Sequence, residues 1–434
     1  MFKTLGSALK NKDIRKKILI TLLFLLIYRL GCYLPVPGLD ASVYSDAINN
    51  SGTGILSLLN AVTGSALSNG AFFALGVTPY INASIIVQLL TVGIPALERL
   101  SKQGDDGKQK ISLITKIVAL VLAIAQGVGI VLGFGDSIQP IFGDNLKWLV
   151  YVFVITLLVA GACFTMWIGD RITEQGVGNG LSLIIFIGIL STAGLAIVNS
   201  FKDIFNGNFN ALWELLGFFA LAFVIFALIV FVDMGERRIP VQYAKQIKGR
   251  KMYGGQESYI PLKVNATGVI PIIFATAIIT FPNLIMQLCG VTAESGWFAK
   301  FYYEHIGAGG WLYSILVGLL ILFFTYFYAQ IQFNPTEVSL NIQQQGGFIR
   351  GKRPGKPTTE YLTKVTRRIT LFGAIFLAFI AIVPSIVFGF VAGGSLSLIN
   401  AFTATGMLII VSVAIEFNTQ LDAQLMMKRH KNLL

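Results

Sequence analysis

The sequence has little charge, few histidines and few cysteines, and each shortage excludes a class of protein. Only 12% of its 434 residues are charged, whereas about a quarter is usual for a soluble globular domain. Two histidines and three widely spaced cysteines provide neither a metal-ligand pattern nor a disulfide framework. We therefore expect no resident metal and no cofactor, and we expect buried free thiols at Cys32, Cys163 and Cys289.

Catalytic patterns are also missing from the sequence. It has no glycine-rich phosphate-binding motif, and its glycine-rich run at 176–180 precedes an apolar segment instead of a βαβ crossover. The acids nearest to apolar runs lie at their ends, as Asp170, Asp233 and Glu416 do, whereas an ion-coupled transporter would carry carboxylates in mid-span. We expect a protein that is not an enzyme and that takes its energy from a partner or a gradient.

Apolar residues make up 55% of the chain, and the mean hydropathy is +0.73. A helix needs about 20 apolar residues to cross a bilayer. Ten such runs, numbered here as spans 1 to 10, lie at about 18–34, 71–92, 117–134, 148–168, 181–199, 215–232, 268–290, 309–331, 369–388 and 396–415. Because lipid requires backbone groups to be satisfied within each segment, we predict an all-α polytopic membrane protein with ten transmembrane helices.

The net charge of +12 is distributed on one side of this predicted topology. Of the 33 lysines and arginines, 29 lie in the two termini and in the loops that follow spans 2, 4, 6 and 8, which are all on the same side of the membrane. Three lie on the opposite side, and Arg29 interrupts span 1. The positive-inside rule places both termini in the cytoplasm. No cleavage site follows the first apolar run, so we expect that run to remain as a helix.

Two cytoplasmic loops, at about 233–267 and 332–368, are longer than the 2 to 8 residues that usually connect packed helices. Each contains seven basic residues together with glycine, proline and aromatic residues. One interpretation is that they dock an acidic or phosphate-rich partner, RNA included. The other is that their charge only orients the protein in the membrane.

An internal repeat links spans 2 and 7. Residues 76–84 and 268–276 share the pattern G-V-x-P-x-I-x-A-[ST] at an offset of 192. The chain is therefore predicted to consist of two halves, 1–200 with spans 1 to 5 and 201–434 with spans 6 to 10, which enter the membrane from opposite sides because five is odd. In such inverted repeats, segments interrupted by glycine and proline indicate a pathway between the halves.

A short apolar segment at about 55–67 precedes span 2 and is too short to cross the membrane. It predicts either a re-entrant segment in a cavity between the halves or a surface amphipathic helix. The side chain of Arg29, inside span 1, either extends outward to the membrane surface or pairs with another group, or else it selects ions. A pathway lined by Val, Ile and Leu would seal against ions by dewetting.

Five motifs occur in order along these spans: Pro35–Gly38, the run Gly76–Leu90, Arg171–Gly180, Pro261–Asn265 and Arg353–Gly355. In these motifs, and over nearly its whole length, the chain resembles the SecY family, the channel-forming subunits of the bacterial Sec protein translocon. The resemblance implies a clamshell of spans 1 to 5 and 6 to 10 in the plasma membrane. Such a passive channel translocates unfolded secretory polypeptides, releases membrane segments sideways through a lateral gate, and relies on a motor ATPase, SecA.

The resemblance also implies site residues. The apolar pore ring would be Val77, Ile81, Leu181, Ile185, Ile273 and Ile409. Four of these form two i, i+4 pairs, Val77 with Ile81 and Leu181 with Ile185, and each pair shares one helix face. Ile273 is the repeat mate of Ile81, whereas Ile409 rests on the resemblance alone. The plug would be the segment 55–67, with Leu58, Leu59, Asn60, Val62, Gly64 and Leu67.

The lateral gate would lie between spans 2, 3, 7 and 8, with Asn82, Gln88, Gln126 and Thr276; for the two glutamines, ordinary interhelical hydrogen bonding is an equal alternative. Docking of the motor and the ribosome would use Arg237, Arg238, Lys245, Arg250, Lys251, Arg350, Lys352 and Arg353. Implied partners are the small subunits SecE and SecG, SecA, the ribosome, signal sequences, nascent polypeptides and anionic lipids, but not DNA.

Two other functions fit parts of the pattern. An inverted-repeat secondary transporter of a small solute would need a polar site at mid-membrane, and the sequence contains none that is evident. A scaffold or insertase would share the helices but have no continuous pore.

Overall fold

A computed structural model describes residues 2–42, 45, 60, 62–133, 138, 147–206, 210–243, 246–248, 251–253, 257–288, 296–306, 311–391 and 404–431. Helices dominate, and each of the ten predicted spans overlaps one of them. In chain order these ten are α2 (Lys12–Gly31), α3 (Thr78–Gly93), α5 (Asp105–Gly133), α6 (Lys147–Gln175), α7 (Gly180–Phe205), α8 (Asn210–Asp233), α9 (Ile270–Leu288), α11 (Trp311–Gln332), α13 (Lys356–Val391) and α14 (Ala404–Lys431).

Shorter helices accompany them. They are α1 (Phe2–Lys10), α4 (Pro95–Ser101), α10 (Trp297–Phe301), which continues as one π-helical turn at Tyr302–Ile306, and α12 (Pro335–Gln344). Helix α3 bends by 105° into α4 at Ile94, where Pro95 follows. A residue before proline is restricted to extended backbone, and Ile94 has φ −109° and ψ 114°.

Seven helical segments among the described residues are long and apolar enough to cross a membrane, and an eighth is added if the bent pair α3 and α4 is one span. Two predicted spans do not reach this standard. Helix α2 begins with five charged residues in its first six and carries Arg29 in its last turn. In α9 the apolar stretch Ile270–Ile279 is too short by itself, and the side chains beyond it are only partly described.

The chain divides into two compact units. The first contains residues 1–218, 277–313 and 388–434, and the second contains 219–276 and 314–387. The boundary predicted near residue 200 thus lies within a continuous stretch of the first unit, so the division into halves 1–200 and 201–434 stays a prediction about topology.

In the first unit, α2 packs against α6 and α7, α3 against α5, and α7 against α14. Glycines allow the backbones of neighbouring segments to approach closely. A Cβ on Gly180, at the start of α7, would overlap the carbonyl oxygen of Gly169 in α6, and a Cβ on Gly161 would overlap that of Phe72. Small residues at such crossings are typical of helices that associate in lipid. Cys32 is buried and Cys163 half-buried, and both are free thiols, whereas Cys289 lies outside the described residues.

The second unit contains strands that the sequence did not indicate. Strands β1 (Glu236–Tyr243), β4 (Glu257–Lys263) and β5 (Gly347–Ile349) form an antiparallel sheet in the order β4-β1-β5. Strands β2 (Gln246–Lys248) and β3 (Lys251–Tyr253) form a separate hairpin. The sheet buries an apolar cluster against α12 and α13: Ile239, Val241, Leu262, Ile342, Ile349 and Leu362. The two long loops therefore fold together, because β1 comes from one and β5 from the other.

Candidate functional site

The repeat in the sequence reappears as a repeat of backbone conformation. Gly76 and Gly268 both have left-handed φ, +53° and +61°, a region that glycine enters at no steric cost. Two residues after each glycine a helix begins, α3 at Thr78 and α9 at Ile270, with proline as its second residue. Proline suits the first turn of a helix because the amide hydrogen it lacks would be unpaired there. The shared motif thus starts two helices in the same way.

The predicted plug is described only at residue 60 and from residue 62 onward; Leu58 and Leu59 lie outside the described residues. Residues 63–70 form consecutive turns instead of a helix. Thr63 is 2% exposed, and Ala66 and Leu67 are also buried. Leu67 packs into the core cluster of α5 and α6. The described part of the segment is thus buried in the first unit, and the re-entrant segment stays a prediction.

Several helices hold the backbone of this segment. The hydroxyl of Tyr28 donates to the carbonyl oxygen of Thr63 at 3.4 Å, and the Cys32 thiol approaches the same oxygen at 3.7 Å. Within the segment, Asn60 accepts from the Ser65 amide at 2.9 Å through its backbone carbonyl. On the side of α7, the carbonyl oxygen of Val62 lies so near Gly188 that a Cβ there would be 2.5 Å away.

Arg29 lies in the last turn of α2 and is paired, not free. Its guanidinium donates to the carbonyl oxygen of Gly64 at 2.9 Å, to the Tyr33 hydroxyl at 3.0 Å and to the Ser191 hydroxyl on α7. It also lies 5.1 Å from the centre of the Tyr33 ring. Pairing is therefore confirmed among the alternatives for this residue, and its partners are neutral groups.

The six predicted ring residues are all buried or half-buried. Val77, Ile185 and Ile409 are buried in the first unit, and Ile81 and Leu181 are half-buried there. Val77 accepts the amide hydrogen of Ile81 at 3.0 Å, so the two are one helical turn apart. Leu181 packs toward α6, since its Cδ2 would be 2.7 Å from a Cβ on Gly169. Ile273 is half-buried in the second unit. The closed ring stays a prediction.

The four predicted gate residues differ in exposure. Gln88 is exposed and donates to Ser84 one turn earlier at 3.3 Å, whereas Gln126 on α5 is only 8% exposed. Asn82 is half-buried on α3, which packs directly against α5. Thr276 donates to carbonyl oxygens of its own helix α9 at 3.0 and 3.1 Å.

The predicted docking residues are exposed wherever their side chains are described. Arg238 pairs with Glu236 at 2.6 Å and lies 4.9 Å from the centre of the Tyr259 ring. The hydrogen bond to Glu236 raises the pKa of Arg238 above its ordinary value. Lys352 lies 5.7 Å from the centre of the Tyr361 ring. The remaining exposed arginines are Arg237, Arg350 and Arg353. Lys245 and Arg250 lie outside the described residues, and Lys251 begins β3.

The turn that carries Arg353 is rigidly built. It connects β5 to α13 and contains Gly351 and Gly355, with φ of +82° and +95°. The Thr358 hydroxyl donates to the carbonyl oxygen of Arg353 at 2.8 Å, and the Ser339 hydroxyl of α12 donates to that of Gly355 at 3.2 Å. Ile349 at the end of β5 pairs with Val241 of β1. Because the two strands are antiparallel, the residues after Ile349 continue toward the end of β1 that carries Arg238. Basic residues of the two loops thus share one end of the sheet.

The motif at 171–180 covers the end of α6 and its connection to α7, in agreement with the loop expected between spans 4 and 5. Asn179 caps α7, since its side-chain oxygen accepts from the amides of Leu181 and Ser182 at 3.1 and 3.4 Å. Thr173 accepts from the Gly180 amide at 2.9 Å, and Thr21 of α2 accepts from the Val177 amide at 3.1 Å. A cap signal of Asn before an apolar run was available in the sequence.

Among the residues that the structure describes, no group of three His, Cys, Asp or Glu side chains could hold a metal ion.

Comparisons with known proteins agree with this geometry. The SecY family model matches residues 71–418. The chain is 39% identical to the protein translocase subunit SecY of Streptomyces galbus and 41% identical to that of Mycobacterium tuberculosis, in each case over the full length of both chains.

Solved structures share the fold at lower identity. The structure of a protein-conducting channel superposes with a TM-score of 0.63 at 18% identity, covering 94% of this chain and 91% of the other. Sec61 in the canine ribosome-channel complex of the endoplasmic reticulum gives the same values. These channels have ten helices, in agreement with the ten spans predicted here. The chain belongs to the SecY family and is a subunit of a protein-conducting translocation channel.

Proposed function

We propose that the segment 55–67 is the plug of this channel and that it seals the resting state from within the first unit. The observation that carries the proposal is the burial of Thr63 and its neighbours, together with the hydrogen bonds that Tyr28 and Arg29 of α2 donate to the carbonyl oxygens of Thr63 and Gly64. These hydrogen bonds can break and form again as the segment moves, because each contributes only about 1 kcal/mol net. A structural neighbour is described as a SecY protein whose plug domain stabilises the closed state and maintains a membrane seal.

We propose that the polypeptide passes a ring made of Val77, Ile81, Leu181, Ile185, Ile273 and Ile409 and that membrane segments leave through a gate between spans 2, 3, 7 and 8, lined in part by Asn82, Gln88, Gln126 and Thr276. Support comes from the matching helix starts at Gly76 and Gly268, which place Ile81 and Ile273 at equivalent positions of two helices. An apolar ring would exclude ions by dewetting while it yields to side chains of different size.

We further propose that the exposed basic end of the sheet, with Arg238, Arg350 and Arg353, docks the motor SecA and the ribosome. The sheet joins both long loops into one surface, and exposed arginines suit acidic or phosphate-rich partners. The relative in the canine complex is a ribosome-bound channel. Lys245, Arg250 and Lys251 would extend this surface.

The chain would act in the bacterial plasma membrane with both termini in the cytoplasm, together with SecE and SecG and with anionic lipids at its basic face. The motor would supply ATP hydrolysis. The alternative of a small-solute transporter is not favoured, since the family and its structural neighbours are protein-conducting channels.

Deletion of residues 57–66 tests the plug. We expect vesicles that contain the purified channel complex with the deletion to leak ions at rest, while the intact complex stays tight. An unaltered conductance would contradict the plug and would also favour a scaffold without a continuous pore. Co-purification of the small subunits and SecA from the native membrane tests the partners.

A further inference from the structure

Arg29 carries a charge that no carboxylate compensates among the described residues: its guanidinium donates to the Gly64 carbonyl, the Tyr33 hydroxyl and the Ser191 hydroxyl. Arginine does not lose its proton in proteins. A buried or half-buried cation must therefore keep its hydrogen-bond acceptors, since losing one leaves a donor unpaired.

The three acceptors differ in how they are held. Tyr33 follows Arg29 by four residues, in the turn directly after α2, and Ser191 lies inside α7. Gly64 lies in the turn segment 63–70. Two acceptors thus lie in or directly after a helix, and one belongs to the segment that the proposed function requires to move.

The backbone at Gly64 is shaped for this contact. Gly64 and Ser65 both have left-handed φ, +68° and +69°, and a non-glycine residue in that region is uncommon. A Cβ on Gly64 would lie 2.6 Å from Nη1 of Arg29 and 3.0 Å from Cα of Gly188. The segment therefore brings its bare backbone between the guanidinium and α7.

We propose that Arg29 is a positioning residue that latches the plug in its closed place through the Gly64 carbonyl; this inference rests on the plug assignment above. When the plug leaves, the guanidinium keeps Tyr33 and Ser191 and exchanges one neutral acceptor for water or for a carbonyl of the passing polypeptide. Such an exchange biases the channel toward the closed state without locking it, because the acceptors are chemically alike. An ion pair with a carboxylate would be harder to replace.

The test measures resting ion conductance of the full channel complex in vesicles for Arg29→Gln and Arg29→Lys. We expect Arg29→Gln to raise the open fraction about tenfold, the effect of one charged hydrogen bond. Arg29→Lys keeps the charge and one donor to the carbonyl, so it should give a smaller rise. Ser191→Ala, which leaves the Gly64 contact intact, is the matched control and should give the least.

Each substitution is then repeated in the variant that lacks residues 57–66. A latch acts only on the plug, so Arg29→Gln should add nothing there, whereas a general structural role would raise conductance in both backgrounds. The latch is overturned if Arg29→Gln leaves conductance unchanged in the full-length chain. It is also overturned if Arg29→Gln raises conductance equally in the full-length chain and in the variant that lacks residues 57–66. If the deletion alone leaves conductance unchanged, it is the plug assignment that fails. A thermal unfolding midpoint of Arg29→Lys near that of the native chain shows that folding is preserved.

Discussion

The carbonyl oxygen of Val62 lies directly against Gly188 of α7, so that a Cβ added to this glycine would be only 2.5 Å from it. Ordinary carbon–oxygen contacts are longer, and the group in the way is backbone that cannot rotate aside. The helix and the turn segment therefore fit together only because residue 188 has no side chain.

We predict that Gly188→Ala displaces the segment and raises the resting conductance of the channel. Overpacked sites cost about 1 to 3 kcal/mol, and here the strain is relieved when the segment leaves. The control is Gly194→Ala on the same helix, where a Cβ meets nothing within 4 Å; it should leave conductance unchanged. Equal conductance of the two variants would show that the segment does not rest on α7.

Asn179 gives a prediction about stability. Asn179→Ala removes the side-chain acceptor that caps α7, and loss of a cap costs about 1 kcal/mol. Asn179→Ser keeps a hydroxyl that can accept the same bonds and should be close to the native chain. The midpoint of thermal unfolding in detergent measures both. If both variants unfold together below the native chain, the amide contributes through something other than capping.

The helices could be predicted because burial in lipid is a property of each segment by itself. A run of about 20 apolar residues must pair its own backbone groups, so spans such as 148–168 and 181–199 agree with α6 and α7 without knowledge of the rest of the fold. The start of span 2 was less accurate. Hydropathy placed it at 71, whereas the helix begins at Thr78, because apolar turns and apolar helices have the same composition.

The sheet and the Arg29 contact could not be predicted for a different reason. Strand β5 is three residues long and pairs with a strand about 100 residues earlier, so no local alternation indicates it. Arg29 binds a backbone carbonyl at Gly64, and every residue has such a group, so the sequence contains no sign of which one is bound. Local patterns identify elements, but partners that are distant in sequence depend on the folded chain.

Charge reversal tests the basic end of the sheet. We predict that Arg353→Glu reduces motor-driven export several-fold, because it places an acid at the proposed contact with an acidic partner. Its turn is held by backbone contacts to Thr358 and Ser339, so the unfolding midpoint should not change. Lys110→Glu makes the same charge change at an exposed position near the start of α5 and should leave export near normal. Normal export by Arg353→Glu would remove this residue from the docking surface.

Crosslinking tests the path of the polypeptide. Ile81 and Ile273 are repeat mates, five residues after Gly76 and Gly268, and both are half-buried. If the two helices line one pathway, a cysteine at either position should crosslink to a polypeptide stalled during translocation, because the chain must pass both. Phe223, which is 74% exposed on α8, supplies the control: a cysteine there should face lipid and react far less. Crosslinks from position 223 alone would mean that the polypeptide does not run along the helices that begin at the repeated glycines, and the ring would then need other residues.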